Sequence, residues 1–166
     1  MNRWGLPQRL LIADDNATGR RLLRALLETR EGWEVCGEAE NGIEAIVRTA
    51  ELKPDLIILD LAMPLMDGLH AAQEISAASP NLPIVLYTMH HFAGLDLEAK
   101  KVGIRKVISK TASGDALMLA IEEALNARAQ EAAGSLGAVS QPGIASSGGV
   151  ADARAAGDID PSSKAN

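Results

Sequence analysis

Apolar and polar positions follow two rhythms along this chain. Short, nearly unbroken apolar runs recur at "RLLIA" (Arg9–Ala13), "LIIL" (Leu56–Leu59) and "PIVLYT" (Pro83–Thr88). Runs of that length fit strands buried on both faces of a sheet. "WEVCGEA" (Trp33–Ala39) alternates more, as an edge strand does, and "KVIS" (Lys106–Ser109) reads as a fifth strand. Helical spacing fills the intervals at Thr18–Arg30, Gly42–Leu52, Gly68–Ala78 and Phe92–Val102. A last helix starts near Ser113, with Leu117, Ala120, Ile121, Ala124 and Leu125 on one apolar face. Pro54-Asp55, Ser79-Pro80 and Gly103 supply the stops between elements.

Five strands alternating with five helices predict an α/β fold. Parallel strands need crossover connections, and the helices then cover both faces of the sheet. The expected architecture is flavodoxin-like and doubly wound, a five-stranded parallel sheet in the order 2-1-3-4-5. Ligands of such sheets bind beyond the carboxyl ends of the strands, at the switch point. Residues 8–130 form the expected domain, after a short extension at 1–7. From 131 to 166 the chain turns Ala/Gly/Ser-rich, with no aromatic residue and no apolar period. Such a segment buries too little surface to offset its chain entropy, so a disordered tail is expected there.

Composition narrows the function classes. The 166 residues are 47% hydrophobic but only 2% aromatic, so the core must be aliphatic. A net charge of -6 argues against a nucleic-acid surface. No apolar run reaches the roughly 18 residues of a membrane span. The start has no secretory-signal pattern, and the single cysteine, Cys36, rules out an intramolecular disulfide. Both fit a cytoplasmic protein.

The predicted strand ends carry the candidate chemistry. Strand one ends in Asp14-Asp15, strand three in Asp60, strand four in Thr88 and strand five in Lys110. In the 2-1-3-4-5 order those four strands are adjacent, so the side chains converge. Three carboxylates in one pocket repel, and a hard cation such as Mg2+, which takes carboxylate, water and phosphate oxygens, resolves the repulsion. Lys110 and the Thr88 hydroxyl suit a phosphoryl group. Asp60, on the central strand, is then the nucleophile that forms an acyl phosphate.

"LLIADDN", "LIILDLAMPLMDG", "IVLYT" and "VISK" closely resemble the receiver domain of two-component response regulators, over roughly Gln8 to Arg128. The resemblance implies that Asp60 accepts phosphate from a sensor histidine kinase or a histidine phosphotransfer protein. It implies that Asp15 binds Mg2+ directly, that Asp14 helps through water and that the backbone carbonyl of Ala62 completes the shell. Thr88 and Lys110 would contact the phosphoryl oxygens and signal to an unidentified downstream protein. Catalysis would be limited to the chain's own phosphorylation and dephosphorylation. Gly68 matches a tight turn in the loop after the phosphoacceptor.

Some positions depart from that pattern. Val107 stands where the family usually has Tyr or Phe, so the usual ring movement on activation is not expected. Thr111 follows Lys110 where many relatives have a cis proline, and a cis bond to threonine would cost about 3–4 kcal/mol, so trans is expected. Ala62 offers no side chain to steer water and Met89 is bulky, which together predict an atypical acyl-phosphate lifetime. The arginines of the first helix (Arg20, Arg21, Arg24 and Arg30) read first as a solvated face and second as a docking face for the phosphodonor. The competing functions are a phosphate shuttle or sink, a binding module indifferent to phosphorylation, and, remotely, a hydrolase with an aspartate nucleophile. The hydrolase of the haloacid dehalogenase type needs a second Asp where Ala62 stands.

Overall fold

The computed structural model describes residues 5–137. The ends of the expected extension and tail, residues 1–4 and 138–166, lie outside the described residues. The elements are β1 (Gln8–Ala13), α1 (Ala17–Leu27), β2 (Trp33–Ala39), α2 (Gly42–Leu52), β3 (Leu56–Leu59), α3 (Gly68–Ala78), β4 (Ile84–Thr88), α4 (Leu95–Lys101), β5 (Lys106–Ser109) and α5 (Gly114–Gly137). All neighbouring strands pair parallel, in the order β2-β1-β3-β4-β5, as expected.

Alternate strand residues face opposite layers. Leu10, Ile12, Leu56, Ile58 and Val85 join Leu23, Leu27, Leu117, Ile121 and Leu125 under α1 and α5. Leu11, Ile57, Leu59, Ile84 and Leu86 join Ala45, Ala71, Ile75, Leu95 and Ala99 under α2, α3 and α4. The three central strands thus bury both faces, which is why their sequences run apolar without a break. The edge strand holds a surprise. Leu10 pairs with Val35 but Leu11 with Gly37, leaving Cys36 as a bulge. Val35 and Ala39, four positions apart, therefore serve opposite layers.

Three helices differ from the sequence reading. α1 stops at Leu27, short of Arg30, with Glu28 as its cap. α4 is shorter than Phe92–Val102 because the chain enters it through Gly94 at φ 95, leaving His90 and His91 in a loop. α5 continues past 131 to Gly137, so the first residues of the expected tail are helical. Arg105 grips Glu131 with two bonds of 2.8 and 2.6 Å, and Arg128 donates to the Asp55 carbonyl at 2.6 Å. These contacts hold the far end of α5 against the amino-terminal edge of the sheet.

Candidate functional site

Parallel strands bring all their carboxyl ends to one rim, and the predicted site residues sit on it. Asp14 follows β1 with its N–H donating to the Ala39 carbonyl at 3.1 Å, and Asp60 follows β3 with its N–H donating to the Ala13 carbonyl at 2.8 Å. Each carboxylate thus starts from a backbone fixed in the sheet. Asp14 and Asp60 are buried, at 4% and 7% exposure.

Burying two carboxylates requires partners. The Asn16 N–H donates to Asp14 Oδ1 at 2.8 Å, and the Leu61 N–H donates to Asp60 Oδ1 at 2.8 Å. Lys110 Nζ supplies the charge, 2.6 Å from Asp14 Oδ2 and 3.0 Å from Asp60 Oδ2. Burial pulls the Lys110 pKa down, but the hydrogen bonds to Asp14 and Asp60 outweigh it and leave the ammonium above its ordinary value. Lys110 reaches this place because its N–H donates to the Thr88 carbonyl at 2.9 Å, while the Ser109 and Thr111 hydroxyls, 2.7 Å apart, close the turn around it. The Lys110–Thr111 bond is trans, as expected.

Thr88 is fully buried, and its hydroxyl oxygen accepts the His90 N–H at 3.0 Å. A hydroxyl that accepts one bond still has its hydrogen to donate. Thr88 is therefore tied to the β4–α4 loop while its hydrogen stays available to an oxyanion. Met89 is 59% exposed. It lines a groove of about 460 Å³ with Leu22, Tyr87, Asp14 and Lys110. Val107 is half-buried against the layer under α4.

Asp15 is exposed and its side chain has no hydrogen bond among the described residues. One oxygen each from Asp14, Asp15 and Asp60 lie within 4.8 Å of one another. Three hard oxygen donors in that space, against one ammonium, fit a divalent cation of the Mg2+ kind. Ala62 lies exposed in the loop two residues beyond Asp60.

The loop after β3 corrects one expectation. Gly68 does not adopt positive φ; Leu65 does, at φ 66, where the Met66 N–H reaches back to the Pro64 carbonyl at 2.7 Å. Glycine is required at 68 for closeness instead, because a Cβ there would lie 2.2 Å from the Asp60 carbonyl oxygen. Asp67 then caps α3 by accepting the His70 N–H at 2.9 Å.

Arg20 was also misplaced by the solvated-face reading. It is 7% exposed. Its Nη1 donates to the Asp14 carbonyl at 2.6 Å, its Nε to Glu38 at 3.0 Å and its Nη2 to Glu40 at 2.7 Å. Arg24, half-buried, reaches Glu38 and the Val35 carbonyl, whereas Arg21 and Arg30 stay exposed, with solvated contacts to Thr18 and Glu122. A signal was present: Arg20, Leu23 and Leu27 fall on one helical face, the buried one.

Known proteins resemble this chain in sequence and fold. Residues 10–122 match the family described as the response regulator receiver domain. The chain is 40% identical over 105 residues to the chemotaxis protein CheY of Thermotoga maritima, covering 63% of this chain and 87% of that protein. It is 35% identical over 116 residues to the chemotaxis protein CheY of Listeria monocytogenes, covering 70% and 97%. The solved structure of a two-component response regulator of the LuxR family from Aurantimonas sp. SI85-9A1 superposes with a TM-score of 0.71 at 30% identity, over 74% of this chain and 87% of that one.

Proposed function

This chain belongs to the response regulator receiver domain family, and on that footing we propose that Asp60 is its phosphoacceptor. Receiver domains serve two-component signalling and bind Mg2+ at an acidic pocket. The observation that carries the assignment is the position of Asp60 at the end of the central strand β3, where it shares an ammonium and a set of cation ligands. Lys110 Nζ stands 3.0 Å from it while also bonding Asp14, and one oxygen each of Asp14, Asp15 and Asp60 lie within 4.8 Å of one another.

The chemistry follows from the charges. An Asp60 oxygen attacks the phosphorus of a phosphohistidine, a P–O bond forms, the P–N bond breaks and the imidazole leaves with its electron pair. In the transition state negative charge is spread over the three equatorial phosphoryl oxygens, where positioned cations and donors stabilise it. Lys110 supplies an ammonium and Thr88 a hydroxyl hydrogen. Asp14, Asp15, Asp60 and the Ala62 carbonyl would hold Mg2+, which when bound would supply the remaining positive charge. The donor is a sensor histidine kinase or a histidine phosphotransfer protein, and the exchange belongs to the cytoplasm, where the ATP that charges such kinases is made. The chain's own catalysis is confined to gaining and losing this phosphoryl group, and its output is contact with another protein.

Acetyl phosphate supplied with and without Mg2+, followed by intact-mass measurement, tests the assignment. A single phosphoryl adduct is expected on the wild type with Mg2+ and on neither Asp60→Asn nor the Mg2+-free sample. An adduct that persists on Asp60→Asn overturns it.

Val107 favours a second reading, a shuttle or binding module, because a valine has no ring to carry a phosphorylation signal to the α4–β5–α5 face. Equal capture of a downstream partner by wild type, phosphorylated wild type and Asp60→Asn would establish the binding module. Onward transfer to a histidine-containing protein would establish the shuttle.

A further inference from the structure

We infer that Arg20 is a positioning residue for the cation site, acting on the peptide that joins Asp14 to Asp15. The inference rests on the Mg2+ reading of the acidic pocket and adds a residue to it.

Asp15 has an unusual problem for a ligand. Its carboxylate is exposed and makes no hydrogen bond among the described residues, so no neighbour holds its side chain in place. Its direction depends on its backbone. The peptide unit is planar, so the Asp14 carbonyl and the Asp15 nitrogen and Cα turn together. Whatever holds the Asp14 carbonyl oxygen therefore orients Asp15. Arg20 Nη1 holds it, at 2.6 Å.

The guanidinium is itself held. Glu38 Oε2 and Glu40 Oε1, at and just beyond the end of β2, take Nε at 3.0 Å and Nη2 at 2.7 Å. A rigid fork gripped at two corners presents its third with little freedom. Burying a guanidinium is costly unless its charge and donors are satisfied, and here the two glutamates satisfy it. Outer groups that orient metal ligands commonly matter tenfold or more to affinity.

A purely structural role, pinning α1 to β2, is the alternative, and the molecule contains its own control. Arg24 also ties α1 to β2, through Glu38 Oε1 at 2.8 Å and the Val35 carbonyl at 3.2 Å, without touching Asp14. Loosening that joint in general should follow either arginine. Misdirecting Asp15 should follow Arg20 alone.

The test titrates MgCl2 into the full chain by calorimetry, alongside urea unfolding, for wild type, Arg20→Met, Arg24→Met and Arg20→Lys. Both methionine variants are expected to lose stability. Only Arg20→Met is expected to weaken Mg2+ binding, by roughly ten- to a hundredfold, with Arg24→Met within about twofold of wild type, inside the noise of such outer-shell effects. Wild-type affinity in Arg20→Met, or equal weakening in both, overturns the inference. Should Arg20→Met fail to fold, Arg20→Lys decides: one ammonium cannot span the carbonyl and both glutamates, so weakening is expected there too, and wild-type affinity refutes the role. A wild type that takes up no Mg2+ overturns the pocket reading itself.

Discussion

Lys110 serves two carboxylates at once, Asp14 at 2.6 Å and Asp60 at 3.0 Å. A divalent cation drawing on the same oxygens competes with it. Lys110→Ala is therefore expected to bind Mg2+ more tightly than wild type, to lose about 1–3 kcal/mol of stability without Mg2+, and to capture phosphate roughly a hundredfold more slowly. Urea unfolding with and without Mg2+ and timed intact-mass measurements check the three effects. Glu38, between Arg20 and Arg24, gives a pH signature. Burial pushes its carboxyl up, but the hydrogen bonds from Arg24 and Arg20 prevail and hold it below the ordinary range. A depressed carboxylate stabilises the fold above the unfolded value, about 4.3, and that contribution fades as pH falls through the lower folded value. Unfolding midpoints followed downward from pH 5 should fall less steeply in Glu38→Gln than in wild type. Met89 is exposed on the groove beside Lys110, where its bulk would restrict access to a phosphoryl group on Asp60. Its truncation in Met89→Ala is expected to hasten loss of the adduct several-fold; an unchanged decay rate removes Met89 from that role.

Between elements, the tightest constraint is the approach of α3 to the end of β3. A methyl at residue 68 would lie 2.2 Å from the Asp60 carbonyl oxygen and 3.0 Å from the Leu61 Cα, both backbone that cannot swing aside. Gly68→Ala should cost about 1–3 kcal/mol by overpacking and displace Asp60, seen as a lower unfolding midpoint and slower phosphorylation by acetyl phosphate. The glycine was visible in the sequence, but its reason was not, since a turn and a close contact leave the same letter. Much else at this scale was legible. The unbroken apolar runs fit central strands, so β1, β3 and β4 followed from pattern. The doubly wound topology supplied the strand order, and adjacency of strand ends then gathered Asp14, Asp15, Asp60 and Lys110. The bulge at Cys36 was not legible, because it changes which residue faces which layer without changing the composition of the strand. Arg20 was missed because a charge on a helix reads as solvated until the glutamates that meet it are located, eighteen and twenty residues away in the chain.

Across the whole molecule, the described chain keeps its chemistry at one rim and its anchors at the other. No described helix is long and apolar enough to cross a membrane. At the anchoring end, Arg128 donates to the Asp55 carbonyl at 2.6 Å and its carboxylate at 3.1 Å, while the Arg9 N–H meets the same carboxylate at 2.9 Å. Arg128→Ala should cost about 1–2 kcal/mol for the two lost bonds and raise amide exchange in the last turns of α5, with exchange around Asp14 and Asp60 unchanged. The latter result would show that the two ends respond separately.

The length of α5 has a practical consequence. Its 24 residues span roughly 36 Å, against about 20 Å for the six residues of β1, and residues 129–134 are exposed. The start of β1 and the far end of α5 both lie away from the acidic rim, which sits at the carboxyl ends of the strands. Cargo tethered at either point hangs below the sheet and leaves the acidic rim open to a visiting phosphodonor.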